Sequence, residues 1–235
     1  MAIVTTDNAH YGDIAAAIRE KVGGTAHYKP AEMAAAIRAI QTGGGASQID
    51  SLIDRTIKEI SSNSVKSISE YSFYNCYSLA AANFPVATNI GNYAFYGCRN
   101  LITVNFPAAT RIQDCSFEAC SGLETVNFPA VTFIGSYSFR FCSKLTTVDF
   151  HNVTSISAFS FIFCSKLTAI ILRSETMAKL SNTNAFDSTP IKSGTGYIYV
   201  PAALVDSYKT ATNWSVYANQ IRAIEDYPDI TGGAA

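Results

Sequence analysis

Leu101-Ile-Thr-Val-Asn-Phe-Pro107, followed by Ala108-Ala-Thr-Arg-Ile112 and a short run to Phe117 and Cys120, is one copy of a pattern that recurs along the chain. Phenylalanine, cysteine and leucine each return at intervals of 22 residues. The three columns are Phe73, Phe95, Phe117, Phe139 and Phe161; Cys76, Cys98, Cys120, Cys142 and Cys164; and Leu79, Leu101, Leu123, Leu145 and Leu167. A fixed period of this length indicates a solenoid, in which neighbouring repeats stack and share one core.

The segment Leu101–Phe106 matches the leucine-rich pattern L-x-x-L-x-L. Strand alternation places Val104 and Phe106 in the core and puts Thr103 and Asn105 on the outer face. The proline that follows cannot donate to a strand ladder, so it ends the strand. A second short extended piece ends at an isoleucine in each repeat, namely at Ile90, Ile112, Ile134 and Ile156. The sequence therefore predicts a leucine-rich-repeat solenoid of the α/β repeat class, made mostly of short parallel strands and turns.

The repeat Phe-x-x-Cys-x-x-Leu-x-x-Val-x-Phe-Pro, followed by Ile-x-x-Tyr-Ala/Ser-Phe, resembles the BspA-type leucine-rich repeat, also called the Treponema pallidum type. The resemblance covers about residues 57–200 in five clear copies and some partial ones. Departures come late, because His151 and Arg173 replace the proline and Ile171 replaces the Asn or Asp. BspA-like proteins are often surface adhesins, so the resemblance implies a non-enzymatic module with a role in adhesion or recognition.

Three regions are expected along the chain: a small helical unit at 1–42, a Gly-rich linker at 43–47, and the solenoid with its caps at 48–235. A short helix over 48–56 is the predicted N-terminal cap. After Leu172 the period breaks, and a strand at 197–200 is followed by two predicted helices, one opening at Pro201 and one over 213–224. These helices form the predicted C-terminal cap, and 225–235 are predicted to be a tail.

Composition excludes several functions. The net charge is −1 without a block of like charge, which argues against nucleic acid as a partner. No apolar run is long enough to span a bilayer, and residues 1–8 lack the features of a signal peptide. We therefore expect synthesis in the cytoplasm, with the protein carried on a virion or exposed at a surface, unless a signal was removed.

The six cysteines favour neither disulfides nor a metal. Five share one repeat position, and stacked strands hold such side chains about 4.8 Å apart with parallel directions, which does not suit a disulfide. No Cys-x-x-Cys pair exists, so zinc is not expected. The prediction is a ladder of buried free thiols, with Cys115 filling a position that holds Tyr or Phe in other repeats.

The candidate ligand-binding positions lie on the outer face of the strands. They are Thr103, Thr125 and Thr147 in one column and Asn105, Asn127 and Asp149 in another. A column of Asn can bond to a protein or glycan, or its amides can bond to one another along the ladder. Tyr74 and Tyr96 occupy a variable position at the rim, where they either anchor a partner or represent ordinary surface variation.

Catalytic motifs, a catalytic site and a cofactor site are not evident, because the three histidines lie far apart and no nucleophile or phosphate-binding motif occurs. The preferred hypothesis is a module that binds a protein or a cell-surface glycan. The alternative is a structural, tail-associated phage protein, because 1–42 resembles segments of prophage tail proteins; that unit would then be an assembly handle and a possible site of homo-oligomerisation. An enzyme is the least favoured hypothesis.

Overall fold

The computed structural model describes residues 57–231. The predicted helical unit at 1–42, the linker at 43–47 and the N-terminal cap helix at 48–56 lie outside the described residues. Within the described part, two ladders of short parallel strands face each other across one core, and turns connect them.

The first ladder holds one strand from each repeat, and we call its members the front strands. They are β1 (Glu59–Ser61), β3 (Ala81–Asn83), β5 (Thr103–Asn105), β7 (Thr125–Asn127), β9 (Thr147–Phe150), β11 (Ala169–Leu172) and β13 (Tyr197–Val200), with β14 (Ile221–Ala223) added at the end. They form two four-stranded sheets, β1-β3-β5-β7 and β9-β11-β13-β14, because the hydrogen-bonded pairing lapses between β7 and β9.

The second ladder is one continuous six-stranded parallel sheet of two-residue strands, which we call the back strands. They are β2 (Ser67–Ile68), β4 (Asn89–Ile90), β6 (Arg111–Ile112), β8 (Phe133–Ile134), β10 (Ser155–Ile156) and β12 (Lys179–Leu180). Pairing in both ladders follows the sequence period, as in Thr103↔Thr125 and Ile90↔Ile112. The predicted solenoid of short parallel strands is confirmed.

The core consists of the residues that the repeat predicted to be inside. Each Phe of the first column stacks on the next with ring centroids 4.9–5.5 Å apart from Phe73 to Phe161. Val104 and Phe106 are buried, whereas Thr103 is exposed and Asn105 is half-buried. The alternation read from the strand motif therefore fixes which face of each front strand meets solvent.

The cysteine column forms the predicted ladder of buried free thiols. Four of the thiols donate to the carbonyl oxygen of the phenylalanine 25 residues earlier, with Sγ···O distances of 3.0–3.2 Å. Burial raises the pKa of Cys120 and Cys142, and it raises the pKa of Cys164 to about 12. These thiols are held in the protonated form that is inert as a nucleophile.

The C-terminal cap differs in detail from the prediction. After β12 come a 3-10 helix Thr183–Phe186, α1 (Pro190–Ser193), β13, a 3-10 helix Ala202–Leu204 and α2 (Val205–Thr210). The helix expected over 213–224 is instead a 3-10 helix Ser215–Gln220 followed by β14. The tail expected from 225 contains the end of a 3-10 helix, Ile224–Asp226, and then α3 (Pro228–Thr231).

Aromatic residues close this end of the core. Trp214 is buried and donates its indole N–H to the Ala178 carbonyl at 2.7 Å, and the Tyr208 hydroxyl accepts from the Ala178 amide at 2.8 Å. Phe186 meets Trp214 and Tyr217 and so ends the phenylalanine stack. Burial raises the pKa of the Tyr208 hydroxyl, as expected for a phenol removed from water.

The outer face of the last front strands is also covered. Ala169, Ile171 and Tyr199 form a small second cluster against which Ile224 and Tyr227 pack. Ile171 departs from the Asn or Asp of earlier repeats because its side chain is buried in this cluster rather than exposed. Residues 224–227 are therefore part of the cap and not of a tail.

Candidate functional site

The front strands place three threonines in one exposed column. Thr103 pairs with Thr125 across β5 and β7, and Thr147 begins β9 in the next sheet. All three side chains are exposed, and their hydroxyls make no hydrogen bond with another described residue. We call Thr103, Thr125 and Thr147 the threonine column.

A second set of threonines, each one residue before a back strand, does have hydrogen-bond partners. Each of these four donates its hydroxyl to the carbonyl oxygen 22 residues earlier, at 3.1–3.2 Å. They are Thr88, Thr110, Thr132 and Thr154, which enter the back strands. The hydroxyls of the back threonines bond to backbone carbonyl oxygens, whereas those of the front threonines are left to bond to solvent or a ligand.

The predicted asparagines bond to one another. Asn127 Nδ2 donates to Asn105 Oδ1, and Asn105 Nδ2 donates to Asn83 Oδ1, both at 2.7 Å. Asn83 in turn donates to the Ser61 hydroxyl at 3.2 Å. We call Asn83, Asn105 and Asn127 the asparagine ladder. The ladder uses one donor and one acceptor of the Asn105 amide, whereas the hydroxyls of the threonine column are not used by the described residues.

Asp149 does not continue the ladder. The single Nε–H of Arg173 is shared by the two carboxylate oxygens of Asp149, at 2.8 and 3.0 Å, and Nη2 donates to Oδ2 at 2.8 Å. His151 Nδ1 lies 3.9 Å from the same carboxylate. The hydrogen bond that Arg173 donates to Asp149 is the largest contribution to the raised pKa of Arg173. The two late departures from the repeat, at His151 and Arg173, thus surround one carboxylate at the change from the first front sheet to the second.

The turn that leads from each back strand to the next front strand carries a line of aromatic side chains. In the first two repeats, Tyr71 stacks on Tyr93 at 5.0 Å and Tyr74 stacks on Tyr96 at 4.9 Å between ring centroids. We call these four residues the tyrosine cluster. All four are half-buried, and desolvation is the largest cause of the raised pKa of Tyr71 and Tyr96. The predicted rim residues Tyr74 and Tyr96 therefore lie together, with one ring face of each taken by the other.

In the third repeat the aromatic line is replaced by Cys115 and Glu118. A hydrogen bond to the Cys115 side chain is the main cause that raises the pKa of Tyr93 to about 12. Desolvation, followed by a hydrogen bond with Glu118, raises the pKa of the Cys115 thiol to about 12. Glu118 is buried and pairs with Arg140 at 3.2 Å. Cys115 fills the Tyr/Phe position as predicted, and its protonated thiol is a poor nucleophile.

Sequence reasoning did not identify two exposed aromatic residues in the fourth and fifth repeats. Phe141 and Phe163 stack at 4.8 Å between ring centroids, and the Arg140 guanidinium carbon lies 4.6 Å from the Phe141 centroid. Both phenylalanines have positive φ. The signal was present in the repeat alignment, because the same position holds Asn75 and Gly97, residue types that favour a left-handed backbone.

The described part contains neither an evident metal site nor an evident membrane-spanning helix. Residues 57–231 contain no group of three or more His, Cys, Asp or Glu side chains placed to hold a metal ion. Over the same range, no helix has the length and apolar character needed to cross a bilayer.

Comparison with known sequences gives a family. The description "BspA type Leucine rich repeat region" matches in six copies over residues 54–110 and 88–198, which together cover more than half of the 235 residues. Curated proteins yield no match to the chain.

Comparison with solved structures gives the same fold. A leucine-rich repeat protein from Bacteroides ovatus is 22% identical with a TM-score of 0.56, over 72% of this chain and 42% of that one. The pneumococcal vaccine antigen PcpA is 15% identical with a TM-score of 0.55, over 72% of this chain and 40% of that one. The T. pallidum leucine-rich repeat protein is 22% identical over 52% of this chain and 72% of that one, with a TM-score of 0.41.

The chain thus spans less than half the length of the Bacteroides protein and of PcpA. At these identities the likeness concerns the fold alone. The family match covers the repeats in which we find the phenylalanine and cysteine columns, the two strand ladders and the exposed turn residues. The chain belongs to the BspA-type leucine-rich repeat family.

Proposed function

We propose that the chain is a non-enzymatic binding module that recognises a protein or a cell-surface glycan, in a role of adhesion or recognition. The observation that carries the proposal is the contrast between the two sets of threonines. The scaffold uses the hydroxyls of the threonines that precede the back strands, whereas the threonine column on the front strands is exposed and without partners among the described residues. Hydroxyls at strand spacing form a regular row of donors and acceptors.

The chemistry of the described residues supports a binding role over catalysis. The cysteines of the repeat are buried, with a raised pKa at Cys120, Cys142 and Cys164. His151 is exposed beside Asp149, and that carboxylate is already engaged by Arg173. A hydrolytic site would need a nucleophile and a base in hydrogen-bond contact, and these groups do not supply one.

The stacking of the tyrosine cluster favours a protein over a glycan at the rim. A sugar ring packs on the face of an aromatic ring, but Tyr74 and Tyr96 cover one face of each other at 4.9 Å. Their edges and hydroxyls suit the pocket of a protein partner, where Tyr is among the residue types that contribute most affinity.

The full chain, screened against a glycan array and a displayed library of protein domains, tests this proposal. We expect a specific ligand whose Kd rises at least about tenfold when Thr103→Arg and Thr125→Arg are combined, since a bulky cation blocks the column. Thr110→Arg, one residue before back strand β6, is the matched control and should leave Kd within about twofold. Equal loss in both variants would show that the front face has no special part in binding.

A tail-associated role in a phage particle is the second proposal. It is supported by the sequence of residues 1–42, which would act as the assembly handle and as a site of homo-oligomerisation; the particle would then carry the repeats. The solution mass of the full chain compared with that of a chain lacking 1–42 tests it. A monomeric mass in both cases would show that residues 1–42 are not a site of homo-oligomerisation.

A further inference from the structure

Two positions in each repeat have a left-handed backbone: the first holds Tyr, Phe or Cys, and the second lies on the outer turn. The φ values at the second position run from 56° to 71°. The five residues are Asn75, Gly97, Ala119, Phe141 and Phe163. Asn and Gly tolerate this conformation well, whereas a bulky aromatic residue does so at a cost in backbone strain. The last two repeats therefore place phenylalanine where the first two hold the residue types that the backbone prefers.

Burial does not compensate for this strain. Phe141 is 40% exposed and Phe163 is 38% exposed, although the two rings stack at 4.8 Å. Exposed phenylalanine leaves apolar surface in water, so the pair contributes less to folding than a buried pair would. Backbone strain retained at an exposed aromatic pair is typical of a functional surface.

Arg140 completes this surface. Its guanidinium carbon lies 4.6 Å from the Phe141 centroid and 6.0 Å from the Phe163 centroid, and one Nη donates to Glu118 at 3.2 Å. Its Nε–H is buried without an acceptor among the described residues. A guanidinium has five N–H donors, so this site has more donors than acceptors. We call Arg140, Phe141 and Phe163 the aromatic patch.

The charged groups near the two rings also favour an anionic ligand. The carboxylate of Glu118 is engaged by Arg140, and that of Glu124 is engaged by Lys144 at 2.9 Å. Lys166, three residues after Phe163, is exposed and makes no ion pair within residues 57–231. The surface that surrounds the two rings thus has cationic groups to spare and no free acidic group on these two turns to oppose an anion.

We infer that the aromatic patch is a second recognition site, which binds a protein segment that carries an apolar or aromatic side chain next to a carboxylate. The apolar side chain packs on the exposed ring edges, and the carboxylate accepts hydrogen bonds from Arg140 and the charge of Lys166. Aromatic and arginine side chains are the types in which binding energy concentrates. The inference rests on the proposed binding function and names its partner class.

The test selects a displayed library of random peptides against the full chain. The site variant combines Phe141→Asn and Phe163→Asn, which introduces the residue that the first repeat carries at this position. The matched control is Phe133→Asn, because Phe133 lies under the Arg111 guanidinium at 4.3 Å on the back strands and the same column holds Asn89. Thermal unfolding of each variant is measured in parallel.

We expect wild type and Phe133→Asn to enrich peptides with an apolar residue beside Asp or Glu. The Kd of these peptides should rise at least about tenfold in the double variant. Its Tm should change by less than about 3 °C, because lost stacking is offset by released strain. Addition of salt should weaken binding to the wild type, since part of the affinity is ionic.

Four outcomes would overturn the inference. They are peptides that bind the double variant as well as wild type, a consensus without an acidic residue, no enrichment at all, and a loss of Tm much larger than about 3 °C, which would assign the pair to folding. The proposed function is judged separately by the glycan and domain screen, so a ligand found there that ignores the aromatic patch would leave that proposal standing.

Discussion

Ser116, Ser138 and Ser160 occupy the same position in successive repeats, and their buried hydroxyls differ in hydrogen bonding. Ser116 donates to the carbonyls of Gly91 and Gln113, whereas the hydroxyls of Ser138 and Ser160 are buried without a partner among the described residues. An unsatisfied buried hydroxyl costs about 1–3 kcal/mol. The same position holds Ala94 in the second repeat, where the fold is equally well packed.

We predict that Ser138→Ala raises the free energy of unfolding by about 1 kcal/mol, because it removes an unsatisfied polar group. Ser116→Ala should lower the free energy of unfolding by about 1 kcal/mol, since it removes a hydroxyl that makes hydrogen bonds. Urea unfolding monitored by the signal of Trp214 measures both. A change of the same sign in the two variants would contradict this assignment of partners.

The left-handed backbone of Ala119 predicts that glycine at this position stabilises the protein. Ala119 has φ of 59° where the preceding repeat holds Gly97. Ala119→Gly should stabilise the protein by about 0.5–1 kcal/mol, because relief of the left-handed strain exceeds the added chain entropy. Ala130→Gly, at a position with ordinary φ, should destabilise it by about the same amount. Differential scanning calorimetry of both variants checks the difference in sign.

At the scale of the element, the asparagine ladder couples the first four front strands. Asn105 takes part in two of its hydrogen bonds and Asn127 in one. Asn105→Ala should therefore cost about 1–2 kcal/mol, and Asn127→Ala about half as much, by the usual net value of a hydrogen bond. Chemical denaturation distinguishes the two, and equal losses would show that the ladder adds little to strand pairing.

Much of the element structure could be predicted from the period. The inward Val104 and Phe106, the outward Thr103 and Asn105 and the free thiols follow from alternation and spacing. The left-handed turns could not, because most carry Tyr, Phe, Cys or Ala in place of Gly. Backbone bonds between successive turns, such as Phe73 N–H to Ala94 O at 2.7 Å, hold this conformation despite the residue type.

Two other features depend on tertiary contacts that the period does not encode. The 3-10 helix Ser215–Gln220 forms in place of an α-helix where Tyr217 packs on Phe186 and bonds to the Thr183 carbonyl. The aromatic patch was missed because Phe141 and Phe163 lie beside the core columns in the sequence and carry core residue types. Their exposed rings and left-handed backbone distinguish them from Phe139 and Phe161, and Asn75 and Gly97 in the same column are the sequence signal for that backbone.

At the scale of the whole molecule, the C-terminal segment seals the outer face of the last strands. Tyr227→Ser should lower Tm by several degrees and increase binding of a hydrophobic dye, because Ile171 and Tyr199 lose their cover. Tyr227→Phe keeps the ring and serves as the control. Identical behaviour of the two variants would show that the Tyr227 ring does not stabilise the cap.

The buried thiols predict how stability depends on pH. The pKa of Cys164 is raised to about 12 and that of Cys142 is also raised, so the folded state holds these protons more tightly than the unfolded chain. Stability is then complete below the ordinary thiol pKa and falls as pH rises above it, by about 1.4 kcal/mol per pH unit for each such thiol. Urea midpoints at pH 8, 9 and 10 test this, and Cys164→Ala should flatten the decline.

Solvent-facing positions of the front strands and of the outer turns are expected to carry recognition, while the repeated core residues carry folding. A saturation mutagenesis scan of the displayed full chain, read for both folding and binding of a ligand from the screens, tests this division of roles. We predict that losses of binding without loss of folding concentrate at Thr103, Thr125, Arg140, Phe141 and Phe163, and that substitutions in the Phe and Cys columns lose folding. Binding losses centred instead on the back threonines, or spread evenly over the surface, would show that recognition does not belong to these positions.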